Sequence, residues 1–201
     1  MKGLYLVTPD WTDTERLLDA TARALDGGAA LVQYRNKTAS PALRREQASA
    51  LLRLCRGRGR PFIVNDHVAL AMELDADGVH VGGTDAPVRA VRAALGPDKI
   101  VGASCYGELA LAETAQDAGA SYVAFGGFYP SVVKQYAVTT PPTIVALAKE
   151  RLQVPVVVIG GMTVENARPL VGHGADLVAA ISSVYRTEDP EEVTREFAAL
   201  F

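Results

Sequence analysis

Three polar clusters in this chain stand directly behind three apolar runs. Gln33-Tyr34-Arg35-Asn36-Lys37 follows Ala29-Ala30-Leu31-Val32, Asn65-Asp66 follows Phe62-Ile63-Val64, and Asp85 follows Gly78-Val79-His80-Val81-Gly82-Gly83-Thr84. Apolar runs of this length that end in functional side chains have the pattern of buried parallel strands. Asp66 and Asp85 supply two carboxylates, and Arg35 and Lys37 supply two cations. Mg2+ commonly takes one or two carboxylates and fills its other positions with water and substrate phosphate oxygens. The set therefore points to a magnesium-bound, phosphorylated substrate. An Asp at a strand end is also a common helix N-cap. Two of them on adjacent strands, facing a cationic pair, suit leaving-group chemistry better. A pyrophosphate departs easily only when its charge is neutralised, and Mg2+ with Lys/Arg clamps supplies that neutralisation.

Further candidates lie after later runs. Gly160-Gly161 ends Val156-Val157-Val158-Ile159, and Ser182-Ser183 ends Leu177-Val178-Ala179-Ala180-Ile181. A lone Gly-Gly is most simply a turn and a lone serine a cap. Together, after the last two strands of a barrel, they match the place where backbone N–H groups bind phosphate. Lys134 sits in a long apolar loop read as Phe125 to Lys134, which could bring a cation over a departing phosphate as a lid. Ser104 ends Ile100-Val101-Gly102-Ala103 and is a weak signal alone. His80 alternates with Val79 and Val81 and reads as a satisfied interior residue rather than an acid or base. His67 reads as the start of a helix and His173 as a helix-end turn. No histidine has metal-ligand spacing to another. Cys105 has no histidine in its local sequence placed to activate it.

The elements that must position these residues alternate from end to end. Apolar, mostly β-branched runs begin near Leu4, Ala30, Phe62, Gly78, Ile100, Tyr122, Val156 and Leu177, each followed by a helical pattern. Thr14 to Leu25 carries Leu17, Leu18 and Leu25 on one face, and Ala42 to Arg56 follows Pro41, a plausible first helical residue. Gly96-Pro97 and Gly119 are helix stops. Eight such units form either an open doubly wound sheet or a closed barrel. The even strand spacing and the polar residues after nearly every strand favour a single-domain α/β fold over residues 1–201, a (β/α)8 TIM barrel. An open sheet would gather those residues at one switch point. The first strand also lacks the glycine-rich turn of a dinucleotide site.

Composition narrows the function further. The 201 residues are 49% hydrophobic, enough for one sizeable core. A net charge of -3 and a pI of about 5.6 give no footprint for nucleic acid or an anionic membrane surface. No apolar run approaches the roughly 20 residues of a membrane span. Met1-Lys2-Gly3 enters a strand at once without a signal-peptide cleavage site. Cys55 and Cys105 form no disulfide framework. The expectation is a soluble, cytoplasmic protein acting on small phosphorylated molecules. Helix surfaces show no dominant apolar stripe beyond core needs, so the sequence marks no oligomer interface.

With these residues in view, the chain resembles the thiamine-phosphate synthase family, from Leu4-Tyr5-Leu6-Val7-Thr8 to the last strand. The matching segments are Val32 to Lys37, Ile63 to Asp66, Ala76 to Gly82, Asp85, Ser104, Pro130 to Lys134, Ile159-Gly160-Gly161 and Ile181-Ser182. The resemblance implies a (β/α)8 barrel that joins hydroxymethylpyrimidine pyrophosphate to a thiazole phosphate, releasing pyrophosphate and giving thiamine phosphate. It implies that Gln33, Arg35, Lys37, Asn65, Ser104 and Lys134 meet the pyrimidine pyrophosphate, that Asp66 and Asp85 hold Mg2+, and that Ser131, Gly161, Ile181 and Ser182 receive the thiazole phosphate. Arg35, Lys37 and Lys134 are the expected catalytic cations. Their neighbours Tyr34, Asn36, Val132 and Val133 are counted with the substrate-binding segments. The chain departs from the family pattern at Asn36 (commonly Glu), His67 (often Arg), Val133 (often a hydroxyl residue) and Gly83-Thr84 (frequently Gln-Glu). Because the pyrimidine amino group can feed a developing methylene cation, a dissociative route is expected, in which the protein positions and neutralises rather than attacks. Two rival readings are a thiazole tautomerase, whose family uses a histidine where this chain has Gly127, and a catalytically silent barrel that senses a thiamine intermediate.

Overall fold

The computed structural model describes residues 1–82, 86–130 and 140–201. Eight parallel strands close into a barrel in sequence order. They are β1 (Gly3–Val7), β2 (Leu31–Tyr34), β3 (Phe62–Asn65), β4 (Gly78–Gly82), β5 (Ile100–Tyr106), β6 (Tyr122–Gly126), β7 (Val156–Ile159) and β8 (Leu177–Ala180). Between and after them, among the described residues, run α1 (Thr14–Asp26), α2 (Pro41–Gly57), α3 (Val68–Glu73), α4 (Val88–Leu95), α5 (Leu109–Asp117), α6 (Thr143–Arg151), α7 (Val164–Gly172), α8 (Ser182–Tyr185) and α9 (Pro190–Ala198). The strands start within a residue of the places where the apolar runs begin. Eight helices were expected, and the short α8 directly behind β8 makes a ninth among the described residues. The segment read as a loop from Phe125 begins later, because β6 continues through Gly126. None of the helices in the described residues is long and apolar enough to cross a membrane.

Local chemistry explains where the helices begin. The Asp13 side chain accepts from Arg16 N at the start of α1, and Ser40 accepts from Leu43 N at the start of α2, with Pro41 in the first turn. At α7, Thr163 and Asn166 cap each other reciprocally. Gly96 and Gly119, at positive φ, follow the ends of α4 and α5.

Successive side chains on a strand point to opposite faces. In this barrel one phase, with Leu4, Leu6, Val32, Phe62, Val64, Val79 and Val158, is buried in the large core shared with the helices. The other phase, with Tyr5, Leu31, Ile63, Tyr122, Val157 and Leu177, fills the barrel interior. Space there is narrow. A Cβ on Gly78 would stand 2.1 Å from the Ile100 carbonyl oxygen, and one on Gly102 would stand 2.1 Å from the Tyr122 ring. The aspartates at the N-terminal ends of strands hold backbone: Asp77 Oδ2 accepts from Phe62 N at 2.8 Å, and Asp176 Oδ2 accepts from Val156 N at 2.8 Å.

Gly78→Ala tests the fit of this interior away from the functional face. Overpacking a close-packed interior costs about 1–3 kcal/mol, so chemical denaturation should show a loss of that size, with activity retained by the folded fraction.

Candidate functional site

The C-terminal ends of the strands open into a cavity with about 840 Å³ of empty space, part of it open to solvent. Its walls come from the inward phase of the barrel. Gln33, Arg35 and Lys37 enter from β2 and its following loop, Asn65 and Asp66 from β3, His80 and Gly82 from β4, and Ser104 and Tyr106 from β5. Ile159 and Ile181 close the opposite side. A register shift between Ser104 and Tyr106 marks a bulge in β5, a device that re-aims a side chain at the rim of a barrel.

The floor is a hydrogen-bonded polar chain. Gln33 Nε2 donates to Tyr5 Oη at 2.7 Å, and the Tyr5 and Tyr122 hydroxyls meet at 2.6 Å across the barrel. His80 Nδ1 lies 2.9 Å from the Tyr122 hydroxyl, and His80 Nε2 lies 2.8 Å from Ser104 Oγ. The Tyr5 and Tyr122 rings meet edge to face, while His80 stacks on Tyr122 with centroids 5.6 Å apart. Burial pushes both phenols well above the usual tyrosine range, so they stay protonated.

The rim carries the charge. Arg35 is 7% exposed, and its Nη1 reaches the Asp10 carboxylate at 3.3 and 3.4 Å. Asp10 Oδ1 also accepts from Lys37 N at 2.8 Å, so one carboxylate orients the backbone and the guanidinium of the same loop. Thr8 locks that loop from β1, accepting from Arg35 N at 2.8 Å and donating to Arg35 O at 3.0 Å. Arg35 Nε is buried without a hydrogen-bond partner among the described residues. Lys37 Nζ lies 3.4 Å from Asp66 Oδ2. Asp66 has φ 60°, a left-handed conformation that costs a side-chain-bearing residue energy and that Asp tolerates better than most. Such strain tends to gather at functional sites.

The structure thus brings together Gln33, Arg35, Lys37, Asn65, Asp66, Ser104 and Ile181 on one cavity. Asp85, Ser131, Val132, Val133 and Lys134 lie outside the described residues, and so does the end of the loop read as a lid, from residue 131 onward. Ser182 opens α8, and Gly161 turns at φ 61° beside the Pro130 carbonyl oxygen, where a Cβ would come within 2.3 Å. A bulky residue at Gly161 would therefore collide with the chain itself, and is a poor probe of a ligand.

Two expected contact residues are placed elsewhere. Tyr34 and Asn36 fall on the outward phase of the β2 segment. Tyr34 is buried in the helix-facing core and donates to Gln47 Oε1 at 2.9 Å. Asn36 Nδ2 donates to Trp11 O at 2.9 Å, and its Oδ1 accepts from Ala39 N at 3.1 Å. Both brace the loop that holds Arg35 and Lys37. Burial pushes the Tyr34 hydroxyl up to about 12.

Sequence reasoning missed Asp10, Tyr5 and Tyr122. Asp10 stands three residues beyond β1, and the same strand-end rule that found Asp66 would have found it. His80 is interior and satisfied, as expected, yet it also lines the cavity. His67 caps α3 and His173 ends α7, also as expected. Cys105 is buried with its thiol pushed up to about 12, unsuited to nucleophilic attack at neutral pH.

A closed parallel barrel with a polar, partly cationic cavity at its C-terminal face defines a β/α-barrel enzyme. Comparison with known proteins gives the particular kind. The TMP-TENI model, thiamine monophosphate synthase, matches residues 4–184. Thiamine-phosphate synthase of Janthinobacterium sp. (strain Marseille) is 62% identical over 201 residues, covering 100% of this chain and 97% of the relative. That of Methylobacillus flagellatus is 50% identical, covering 100% and 96%. The solved structure of thiamine phosphate pyrophosphorylase from Pyrococcus furiosus superposes with a TM-score of 0.86 at 32% identity, covering 98% of this chain and 94% of that one. The chain belongs to the thiamine monophosphate synthase family, and it is a transferase.

Bracing and clamping residues should separate experimentally. Asn36→Ala strips partners from buried backbone and side-chain groups, so it should cost about 1–3 kcal/mol in denaturant unfolding. Asp10→Ala removes a part-exposed carboxylate that orients Arg35 and Lys37. It should cost some stability, because the buried guanidinium loses its counter-ion, and should also cut kcat/KM by about tenfold, the equivalent of roughly 1.4 kcal/mol. A large stability loss with normal kinetics would assign Asp10 to the scaffold instead.

Proposed function

We propose that this enzyme joins 4-amino-5-hydroxymethyl-2-methylpyrimidine pyrophosphate to hydroxyethylthiazole phosphate, giving thiamine phosphate and pyrophosphate in a Mg2+-dependent, dissociative substitution. The observation that carries the reading is the convergence of Arg35, Lys37 and Asp66 on one cavity in a chain of this family. A buried guanidinium, an ammonium and a carboxylate suit a metal-bound pyrophosphate far better than a neutral substrate. No strong base or nucleophile is required, and the buried Cys105 offers none.

The donor chemistry fits Mg2+. Mg2+ typically binds one or two carboxylates plus substrate phosphates rather than an all-protein cage. Among the described residues Asp66 is the carboxylate lining the cavity, and Asp85, outside the described residues, is the second ligand that the resemblance implies. When bound, the metal would supply neutralisation of charge on the pyrophosphate.

The protein's own groups do the remaining work. Arg35, held by Asp10, and Lys37, paired with Asp66, would hold pyrophosphate oxygens as negative charge builds on them. Lys134, from the loop after β6, is assigned the same task by resemblance. Gln33, Asn65 and Ser104 would orient the pyrimidine side. Gly161, Ile181, Ser182 and Ser131 would take the thiazole phosphate on the β7–β8 side. The two reactants would then face each other across the cavity, and that pre-positioning removes much of the entropic cost of meeting. Tautomerase chemistry finds less support: Gly127, where that family uses a histidine, offers a backbone N–H committed to Ile159 O at 3.0 Å. A location in the cytoplasm accords with these small, soluble substrates.

Incubation with both substrates and Mg2+ should yield thiamine phosphate and pyrophosphate in equal amounts, and neither product would appear if the reading were wrong. Asp66→Ala should lower kcat by on the order of a hundredfold or more, reflecting several kcal/mol of lost leaving-group stabilisation, with the fold intact by circular dichroism. Normal turnover of an Asp66→Ala, Asp85→Ala double variant in chelator would remove the metal assignment. Lys134→Ala should lower kcat more than it raises the KM for thiazole phosphate, because its charge matters most as the leaving group departs.

A further inference from the structure

The polar chain under the cavity has a direction, and the direction follows from counting protons. The Tyr5 hydroxyl is fully buried and has two partners, Gln33 Nε2 and the Tyr122 hydroxyl. Gln33 donates to it, so the one acceptor left for the Tyr5 proton is Tyr122. Tyr122, having accepted, donates to its other neighbour, His80 Nδ1. A ring nitrogen that accepts carries no proton. The imidazole proton therefore sits on Nε2 and points at Ser104 Oγ. Ser104 accepts from the protein, and its own proton is left for the cavity it lines.

The opposite direction strands a proton. If His80 carried hydrogen on Nδ1, as the other tautomer or as imidazolium, Tyr122 would have to donate to Tyr5. Tyr5 would then accept twice, and its own proton would be buried with no acceptor. An unsatisfied buried donor costs about 1–3 kcal/mol. Ionising either phenol would remove that proton, but burial holds both neutral. The stacked contact of His80 on Tyr122, and the absence of a side chain at Gly102, keep the two rings in place.

We propose that His80 is a positioning residue: Tyr5 and Tyr122 hold it as the Nε2–H tautomer, which commits the Ser104 hydroxyl to donate into the cavity, to an acceptor atom of the pyrimidine pyrophosphate. The substrate assignment rests on the function proposed above; the tautomer does not. With the other tautomer, Ser104 could donate to His80 Nε2 and present only lone pairs to a ligand rich in acceptors. Polarity of one hydroxyl, set by a chain that crosses the barrel, would then decide whether the site attracts or repels that atom.

The test begins with the substrate-free, 15N-labelled protein at neutral pH. His80 is identified by elimination with His67→Asn and His173→Asn, both exposed at helix ends. Its ring should show an unprotonated Nδ1 and a protonated Nε2; a protonated Nδ1 overturns the proposal. Kinetics then separate positioning from scaffolding. Tyr122→Phe should blur the tautomer signature and lower kcat by about tenfold, the scale of one hydrogen bond to a charging group, with the KM for thiazole phosphate unchanged. In a Ser104→Ala background the same change should add less than about twofold, because both act through one hydroxyl. Multiplicative losses would show that Tyr122 acts on the fold alone and would overturn the proposal. If wild-type protein turns over neither substrate, the reaction assignment fails, while the ring-nitrogen spectrum still decides the relay.

Discussion

A closed parallel barrel has room for only one phase of each strand inside it, and that shortage of space governs the rest of this molecule. Tyr5 and Tyr122 reach across the interior until their hydroxyls meet at 2.6 Å. They can do so because β5 has glycine at position 102, where any Cβ would overlap the Tyr122 ring. Two phenols buried together need partners for their protons. Tyr122 takes the Tyr5 proton and His80 takes that of Tyr122, while Gln33 donates to Tyr5 and His80 passes the chain on to Ser104 at the cavity wall. Filling the barrel and building the floor of the site are therefore one packing solution.

Above that floor, charge is arranged by depth. Arg35 is buried and holds to the part-exposed Asp10, while Lys37 is mostly exposed beside Asp66. The buried guanidinium is costly to leave unpaired, so Asp10 acts as its resident counter-ion and keeps the donor fork aimed before any ligand arrives. Asp66 is held differently, by a left-handed backbone at the end of β3 whose N–H donates to His80 O at 2.9 Å. At the other end of the barrel, Asp77 and Asp176 face strand starts and tie down backbone N–H groups. The same residue type serves chemistry at one end and stability at the other, in line with the polarity of β/α barrels.

The loop after β2 shows how one segment can do both jobs. Arg35 and Lys37 belong to the inward phase and reach the cavity, whereas Tyr34 and Asn36 belong to the outward phase and bind Gln47 and the Trp11 carbonyl. The bracing residues hold the register that the cations need. Asn36 is thereby placed in the brace rather than at the cavity wall.

Sequence alone determined the barrel, its strand starts and the positions of Arg35, Lys37 and Asp66 behind strand ends, because apolar period and local punctuation are properties of neighbouring residues; the family followed from the resemblance of ordered motifs. The two-residue period also held the distinction between Arg35 and Asn36, although reading that cluster as one unit hid it. Asp10 was open to the same strand-end rule as Asp66, whereas Tyr5 and Tyr122 were beyond reach for a different reason. Their roles arise from contacts 28 and 117 residues apart along the chain, and no local pattern encodes which inward side chains will meet once the barrel closes. His80 shows the division most clearly: alternation placed it inside, but only closure set it between Tyr122 and Ser104, where the acceptor it meets on one side decides which proton it offers on the other.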